Sequence, residues 1–194
     1  MITIAWDIDD VLNELMRFWF NKKWLIEYPK CSLEYDEIKE NPPHKLLGVS
    51  KEKYLTSLDE FRLSMQYRNM QPVLEVKKWF LQNGEFFRHI AITAVPIHAA
   101  YVNAEWVLRH FGIWIRTFHF VPSVRKGLRM PQYDKSKKDF LRWFGKVGIF
   151  IDDNEANIQE CRNLGIKGIL FPRPWNKSRL SIPETLKIIT ALAR

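Results

Sequence analysis

The sequence predicts an α/β protein built on a doubly wound parallel sheet, with a small helical cap inserted after the first strand. From residue 72 onward, short apolar runs alternate with segments of helical periodicity, which is the pattern of a parallel sheet covered on both faces. Residues 13–71 break this alternation and are predicted to be helical. The 194 residues are enough for one such domain carrying an insertion.

Five apolar runs are the candidate strands. The first, Ile2 to Trp6, is short and stops at polar residues, as a buried parallel strand does. The runs from Phe86 to Ala94 and from Val147 to Ile151 also end at hydroxyl or carboxylate side chains, and the remaining candidates are 115–121 and 168–171. Because ligands bind outside the carboxyl ends of the strands in such sheets, these polar residues indicate a site.

Five segments of helical periodicity lie between and after these strands, and four of them end at a glycine. The segments are 73–83, 98–111, 134–144, 154–164 and about 183–193, and the glycines are Gly84, Gly112, Gly145 and Gly165. Further helices are predicted at 12–24 and 51–70. The predicted domains are therefore a core of residues 1–12 and 72–194 and a helical cap of residues 13–71.

The chain is basic. Its 30 Lys and Arg residues outnumber 22 Asp and Glu, and the formal charge of +8 favours an anionic partner such as a nucleotide, a phosphate ester or a nucleic acid. Residues 121–146 hold eight basic and two acidic side chains. Cys31 and Cys161 lack the spacing of a zinc site or disulfide framework, and neither an export signal nor a membrane span is predicted. We therefore expect a cytoplasmic protein.

Two pairs of carboxylates follow predicted strands. Asp7 and Asp9 flank one residue, so both side chains point the same way on a strand or its extension. Two carboxylates at such a short distance either share a cation or repel each other, and the repulsion raises the pKa of one of them. The candidate ligands are all oxygen, which favours Mg²⁺ over a softer metal. A turn-forming cluster is the alternative, and the second pair, Asp152 and Asp153, makes it less favoured.

Four motifs in order resemble those of the haloacid dehalogenase-like (HAD) superfamily of phosphotransferases. Asp7-Ile8-Asp9-Asp10-Val11 resembles its first motif, Thr93 the second, Lys135 the third and Asp152-Asp153 the fourth. The resemblance implies a HAD-like Rossmannoid core. It also implies that Asp7 is the nucleophile that forms an aspartyl phosphate, while Asp9 protonates the leaving alcohol and then activates water.

The same resemblance implies the remaining parts of the site. Thr93 and Lys135 would bind the phosphate, with Lys126 as the alternative lysine. Mg²⁺ would be held by Asp7, Asp152, Asp153 and the backbone carbonyl of Asp9. The resemblance does not indicate which of Asp152 and Asp153 binds the metal directly. Asn157 either braces this loop or faces solvent.

Within the superfamily, the sequence is most similar to the 5'(3')-deoxyribonucleotidases, which carry a helical cap between the first two motifs. The fragments that carry this similarity are T-A-V-P-I at 93–97, E-W-V-L-R-H-F-G at 105–112, D-K-S at 134–136, I-D-D at 151–153 and P-W-N at 174–176. Asp10 stands where the superfamily commonly has Gly, and Val95 stands where these enzymes often have a hydroxyl residue. Both departures concern substrate specificity more than chemistry.

The sequence therefore predicts a Mg²⁺-dependent phosphomonoesterase that acts on nucleoside monophosphates. One alternative is a phosphatase of another metabolite or of polynucleotide 3'-ends, and another is a catalytically silent relative that binds nucleic acid or protein through its basic surface. In the cap, one or two aromatic residues could stack on a base. These aromatic candidates are Phe18, Trp19, Phe20 and Trp24, most of which are expected in the core. Arg62, Tyr67 and Arg68 lie where the cap returns to the core and could reach the phosphate. The alternative for these three is pairing within the helix with Asp59 or exposure at the surface.

Overall fold

The structure is a computed structural model that describes residues 1–127 and 129–192. Its described residues contain one five-stranded sheet, in which all neighbouring strands pair in parallel. The strands are β1 (Thr3–Trp6), β2 (Arg88–Val95), β3 (Ile115–Pro122), β4 (Ile149–Asp152) and β5 (Lys167–Leu170). Their order is β3-β2-β1-β4-β5, so the chain reverses its winding direction between β1 and β4.

The α-helical segments of the described residues are α1 (Leu15–Trp19), α2 (Leu25–Glu27), α3 (Lys51–Leu63), α4 (Met65–Arg68), α5 (Leu74–Asn83), α6 (Ile97–Phe111), α7 (Lys137–Phe144), α8 (Glu155–Arg162) and α9 (Ile182–Ala191). A π-helical turn, Phe20–Trp24, joins α1 to α2, and short 3₁₀ helices cover Tyr35–Glu37 and Gly84–Phe86. The predicted helix 134–144 begins three residues later than expected, a shift that matters for the site.

Helices cover both faces of the sheet. On one face, Phe140 of α7 and Ile158 of α8 join a buried cluster with strand residues such as Phe150. On the other face, residues of α5, α6 and α9 join the larger cluster that contains Ile4 and Trp6. The apolar side chains of the sheet thus pack against a layer of helices on each face. The predicted doubly wound α/β fold is confirmed.

Side-chain caps and glycines fix several helix ends. The hydroxyl of Ser136 accepts a hydrogen bond from the Asp139 backbone N–H, and the Asp139 carboxylate accepts one from Ser136 in return, so α7 begins at Lys137. The same helix ends at Gly145, whose φ of 64° favours glycine. At Gly84 the reason is space, because a Cβ atom there would lie 2.6 Å from Cδ1 of Trp114.

The segment between β1 and α5 contains α1 to α4 and lies over the core. Trp19, Tyr54 and Phe61 of this segment belong to the same buried cluster as Ile4 and Trp6, so the apolar core continues from the sheet into the inserted helices. Helix α3 also packs against α6. Across residues 1–127 and 129–192, no helix has both the length and the apolar character needed to span a bilayer.

One buried histidine predicts how the fold responds to acid. His89 Nδ1 accepts a hydrogen bond from Trp6 Nε1 at 3.0 Å, and its Nε2 donates to the Gly84 carbonyl at 2.8 Å. Burial lowers the pKa of His89 to about 4, although the bond to Gly84 opposes the shift. As pH falls, His89 therefore binds a proton in the unfolded chain before it does so in the folded state. The stability that the neutral His89 provides is present above about pH 6.5 and is lost as pH falls towards 4.

We expect this loss to be roughly 3 kcal/mol in the free energy of unfolding between pH 6.5 and 4. Urea denaturation across this range measures it. A His89→Gln variant cannot ionise, so its stability should decline less steeply even if it is lower at pH 7. The exposed His98 supplies the control His98→Gln. Parallel pH profiles for the wild type and His89→Gln would show that His89 has no such role.

Candidate active site

The carboxylates lie where the sheet reverses its winding direction, at the carboxyl ends of β1 and β4. Asp7 directly follows β1, and its backbone N–H donates to the Ile151 carbonyl of β4 at 2.9 Å. Asp152 ends β4 and Asp153 follows it. Each of Asp7, Asp152 and Asp153 is buried, and carboxylate oxygens of the three lie within 4.8 Å of one another. Strand pairing therefore brings the first and fourth motifs together.

The lysine of this cluster is Lys137. Its Nζ lies 2.7 Å from Oδ2 of Asp7 and 2.7 Å from Oδ2 of Asp152, and the side chain is buried. Burial disfavours the ammonium, but attraction by Asp152 and Asp7 outweighs it and raises the pKa of Lys137 above its ordinary value. Both carboxylates thus share one cation.

The lysine that contacts these carboxylates is not the one that the sequence predicts for the site. Lys135 is exposed, and its backbone N–H donates to Asp139 Oδ2 at 3.0 Å in the turn that precedes α7. The alternative, Lys126, is exposed as well. The capping pair of Ser136 and Asp139 starts the helix two residues after Lys135, which places Lys137 on its first turn, facing the cluster.

The three carboxyl groups of the cluster outnumber its single ammonium, Lys137. Burial raises the pKa of Asp7 well above its ordinary value; Lys137 opposes the shift, while Asp152 and Asp153 add to it. Burial also raises the pKa of Asp153 to about 7, with repulsion by Asp152 adding to the shift. Three carboxylates and one ammonium in a buried space favour the entry of a further cation.

Neighbouring side chains brace the two carboxylates of β4. Asp152 Oδ2 accepts from Asn157 Nδ2 at 3.0 Å, and its Oδ1 accepts from the Asn154 backbone N–H at 2.8 Å. Asp153 Oδ2 accepts from Trp175 Nε1 at 2.7 Å, and its backbone carbonyl accepts from Asn176 Nδ2 at 2.8 Å. Asn157 therefore braces the loop, and the P-W-N fragment contributes two of the supporting contacts.

Asp9 belongs to a different network, which the cap completes. Its Oδ2 accepts from Nε and Nη2 of Arg62 at 3.2 and 3.0 Å. Its Oδ1 accepts from the Tyr67 hydroxyl and from Asn13 Nδ2, each at 3.1 Å. Arg68 does not join this network and pairs with Glu105 on α6.

Asp10 stabilises the turn between the sheet and the cap. Its φ of 64° lies in the left-handed region, which explains why glycine suits this position. The Asp10 carboxylate accepts from the Met16 backbone N–H at 3.0 Å, and its carbonyl accepts from Arg173 Nε at 2.6 Å. Burial raises the pKa of Asp10 to about 7, although Arg173 opposes the shift. Here the Asp departure ties the loop to the start of α1.

A cavity of about 200 Å³ opens onto the carboxylates. Thr93 and Ala94 of β2 line its core side, whereas Val95 is buried in the strand. The cap wall includes Leu15, Met16, Tyr54, Leu58 and Arg62. Of the four cap aromatics considered for stacking on a base, Trp19, Phe20 and Trp24 are buried in the apolar core, as expected for most of them. Tyr54 is the aromatic side chain on this wall in the described part of the chain.

A second ion pair closes the cap onto the core. Arg125, in the loop after β3, donates from Nε to Asp59 Oδ2 at 2.7 Å and from Nη2 to Oδ1 at 2.9 Å. Asp59 of α3 also accepts from Arg62 Nη1 at 3.1 Å. A continuous chain of charges therefore runs from Asp9 of the core through Arg62 and Asp59 of the cap to Arg125 of the core.

Sequence reasoning did not identify several of these residues. Lys137, Arg173 and Asn13 contact the acidic loops directly, and the pairing of Asp59 with Arg125 joins two segments that are 66 residues apart. For Lys137 a signal existed, since Ser136 and Asp139 have the spacing of a helix-capping pair. The other contacts depend on tertiary structure and have no local signature.

The comparisons with known proteins bear on the fold. No protein-family model matches the chain, and no curated protein matches it in sequence. Solved structures do match. A haloacid dehalogenase-like hydrolase from Streptococcus pneumoniae aligns over 99% of this chain and 98% of its own, with a TM-score of 0.66 and 10% identity. The chain has the fold of haloacid dehalogenase-like hydrolases.

Two further HAD structures agree with this result. A subfamily IA hydrolase from Geobacter sulfurreducens aligns over 99% of this chain and 96% of its own, with a TM-score of 0.56 and 14% identity. The hydrolase YfnB from Bacillus subtilis, solved bound to magnesium, aligns over 98% of both chains with a TM-score of 0.55 and 14% identity. The finer resemblance to deoxyribonucleotidases finds no support in these matches.

Proposed function

We propose that this protein is a Mg²⁺-dependent phosphomonoesterase that acts through Asp7. The observation that carries the proposal is the convergence of Asp7, Asp152 and Asp153 around the buried ammonium of Lys137, at the carboxyl edge of a HAD-like sheet. Hydrolysis of a phosphate monoester requires a nucleophile and positive charge next to the phosphate oxygens. Asp7 of this cluster supplies the nucleophile. The carboxylates together can bind a cation that supplies the positive charge.

The residues present fit a hard divalent cation. Their donors are all carboxylate oxygens within 4.8 Å of one another, and one ammonium leaves the three carboxylates undercompensated. Asp7 and Asp153 would hold the metal with the backbone carbonyl of Asp9, while the occupied oxygens of Asp152 suit a supporting role. The magnesium in the similarly folded YfnB supports the choice of ion. Bound Mg²⁺ would neutralise charge on the phosphate oxygens.

The side chains of this protein would divide the reaction into two steps. An Asp7 oxygen attacks phosphorus, a new oxygen–phosphorus bond forms, and the bond to the leaving oxygen breaks as Asp9 gives that oxygen a proton. Water then attacks the aspartyl phosphate and gives a proton to Asp9, which restores Asp7 and releases inorganic phosphate. Throughout, Lys137 balances charge on Asp7, and Thr93 offers its hydroxyl to the phosphate.

The alternatives are less well supported. Pockets that bind drug-sized ligands such as nucleotides usually measure about 300–1,000 Å³, whereas this cavity measures about 200 Å³. A polynucleotide 3'-end needs an open approach, but the paired charges of Arg62 and Arg125 close the cap. A catalytically silent binding protein would have no need for three buried carboxylates around one lysine.

Metal binding can be tested without an activity assay. We expect Mg²⁺ to raise the melting temperature of the wild type and EDTA to reverse the shift, because a ligand that binds only the folded state adds RT ln(1 + [Mg²⁺]/Kd). The variant Asp153→Asn should be at least as stable as the wild type in EDTA, since it removes one repelling charge. Its melting temperature should respond little to Mg²⁺.

Matched controls distinguish this site from general ion effects. Asp36→Asn makes the same change at an exposed carboxylate of the cap and should retain the wild-type response to Mg²⁺. Phosphate release from acetyl phosphate should follow the same pattern of loss in EDTA and recovery with Mg²⁺. Full activity in EDTA, or an unchanged Mg²⁺ response in Asp153→Asn, would contradict the proposed metal site.

A further inference from the structure

We propose, on the basis of the proposed function, that the substrates are compact phosphate monoesters whose alcohol part carries no charge. The cavity leaves little volume beyond the phosphate site, both cations of its described lining are already paired, and two ion pairs hold the cap to the core. Each of these features restricts the alcohol part in a different way.

The first restriction is size. The phosphate and the part of the alcohol next to it would share a cavity of about 200 Å³. Leu15, Met16 and Leu58 form an apolar section of the cap wall, and Leu58 is 4% exposed. The remaining space suits an alcohol of a few carbon atoms.

The second restriction is charge. Two cations line the cavity in the described part of the chain, Lys137 and Arg62, and both are already paired. Arg62 uses Nε and Nη2 on Asp9 and Nη1 on Asp59, so all three nitrogens of its guanidinium donate to carboxylates. Five aspartates line the same cavity, and they would repel a second anionic group on the substrate.

The third restriction is closure. The C-terminal part of helix α3 is held to the core by two ion pairs one turn apart, Arg62 with Asp9 and Asp59 with Arg125. The side chains of Arg62 and Asp59 are 8% and 10% exposed. A long alcohol part would have to displace α3 and separate these two buried pairs.

A hydroxyl group on the alcohol part would find a partner. Tyr54 lines the cap wall, and its hydroxyl donates to Met16 Sδ at 3.4 Å. A thioether is a weak acceptor, so a substrate hydroxyl can replace it with a stronger hydrogen bond. The cavity is therefore suited to phosphate esters of small polyols as well as simple alcohols.

The test compares substrates that differ in one property. Glycerol 3-phosphate carries a hydroxymethyl group where 3-phosphoglycerate carries a carboxylate, so this pair tests charge. AMP has a much larger alcohol part and tests size. We expect kcat/KM for glycerol 3-phosphate to exceed that for 3-phosphoglycerate by at least about tenfold and that for AMP by about a hundredfold. Acetyl phosphate serves as the reference, because it reports phosphoryl transfer to Asp7 with a minimal leaving group.

The outcomes separate the two proposals. Hydrolysis of acetyl phosphate together with equal or better hydrolysis of 3-phosphoglycerate or AMP would overturn the substrate class and leave the phosphatase proposal standing. Failure to hydrolyse any of the four with Mg²⁺ would overturn the phosphatase proposal itself.

A variant tests the wall directly. Leu58→Ala should raise kcat/KM for the larger neutral ester glucose 6-phosphate relative to glycerol 3-phosphate by several-fold, without a matching gain for 3-phosphoglycerate. Leu55→Ala, on the same helix but outside this cavity, should leave the ratio unchanged. Melting temperatures show whether each variant is folded. If Leu58→Ala does not fold, the comparison of substrates with the wild type decides the proposal by itself. An unchanged ratio in folded Leu58→Ala would contradict the proposed wall.

Discussion

Replacing Asp7 with Asn is expected to abolish phosphate release while leaving the protein folded. The amide has nearly the same shape as the carboxylate, and its oxygen can still accept the hydrogen bond that the Ile8 backbone N–H donates to Asp7 Oδ1 at 2.8 Å. It is, however, a poor nucleophile, so the covalent step is lost. Removal of a nucleophile typically lowers kcat by several powers of ten. Phosphate release from acetyl phosphate with Mg²⁺ measures the effect.

The control for this variant is Asp36→Asn, which makes the same change at an exposed position of the cap and should retain full activity. Circular dichroism and the melting temperature should show that Asp7→Asn is folded, since Lys137 keeps its pair with Asp152. If Asp7→Asn retained more than about a tenth of the wild-type turnover, the loss would be too small for a missing covalent step. That result would rule out the aspartyl-phosphate mechanism.

The parts of this fold that sequence predicts are those with local signals. Each observed strand lies within about two residues of its predicted run, because buried parallel strands are short, continuous apolar segments. The polar residues at the ends of β1, β2 and β4 followed from the same pattern. Since parallel strands end at one edge, the convergence of Asp7, Thr93 and Asp152 could be inferred before any coordinates.

The parts that sequence did not predict depend on one-residue precision or on long-range pairing. The run Lys135-Ser136-Lys137-Lys138 offers three lysines within four residues, and the helix start at Ser136 decides which one faces the carboxylates. The partner of Asp9 could not be assigned, because Arg62 is 53 residues away and reaches Asp9 only when α3 lies over the sheet. Burial of such polar groups is visible only in the folded structure.

Replacing Lys137 with Met is expected to lower both activity and metal-free stability. Met fills similar space without charge, so Asp7 and Asp152 lose the ammonium that lies 2.7 Å from each. Removing one partner of a buried ion pair costs about 3–5 kcal/mol in the free energy of unfolding. Turnover should fall by about a hundredfold or more, because Lys137 would also stabilise charge on the transferred phosphoryl group.

The stability loss should depend on pH in a defined direction. Burial already raises the pKa of Asp7 well above its ordinary value and that of Asp153 to about 7, and loss of the ammonium raises both further. The folded state then binds more protons than the unfolded state, so stability falls as pH rises from about 4 through 7 and beyond. Urea denaturation in EDTA should show a larger gap between Lys137→Met and the wild type at pH 8 than at pH 5.5.

Lys135→Met is the matched control, because it makes the same substitution two residues away at an exposed position. Surface changes of this kind usually alter stability by less than about 0.5 kcal/mol, and we expect near wild-type turnover and the wild-type pH profile. The opposite result, in which Lys135→Met is inactive and Lys137→Met retains turnover, would return the phosphate-binding role to Lys135. A pH-independent stability loss in Lys137→Met would instead mean that the ammonium acts through packing, and that the carboxylates around it do not carry the charge on which the metal site depends.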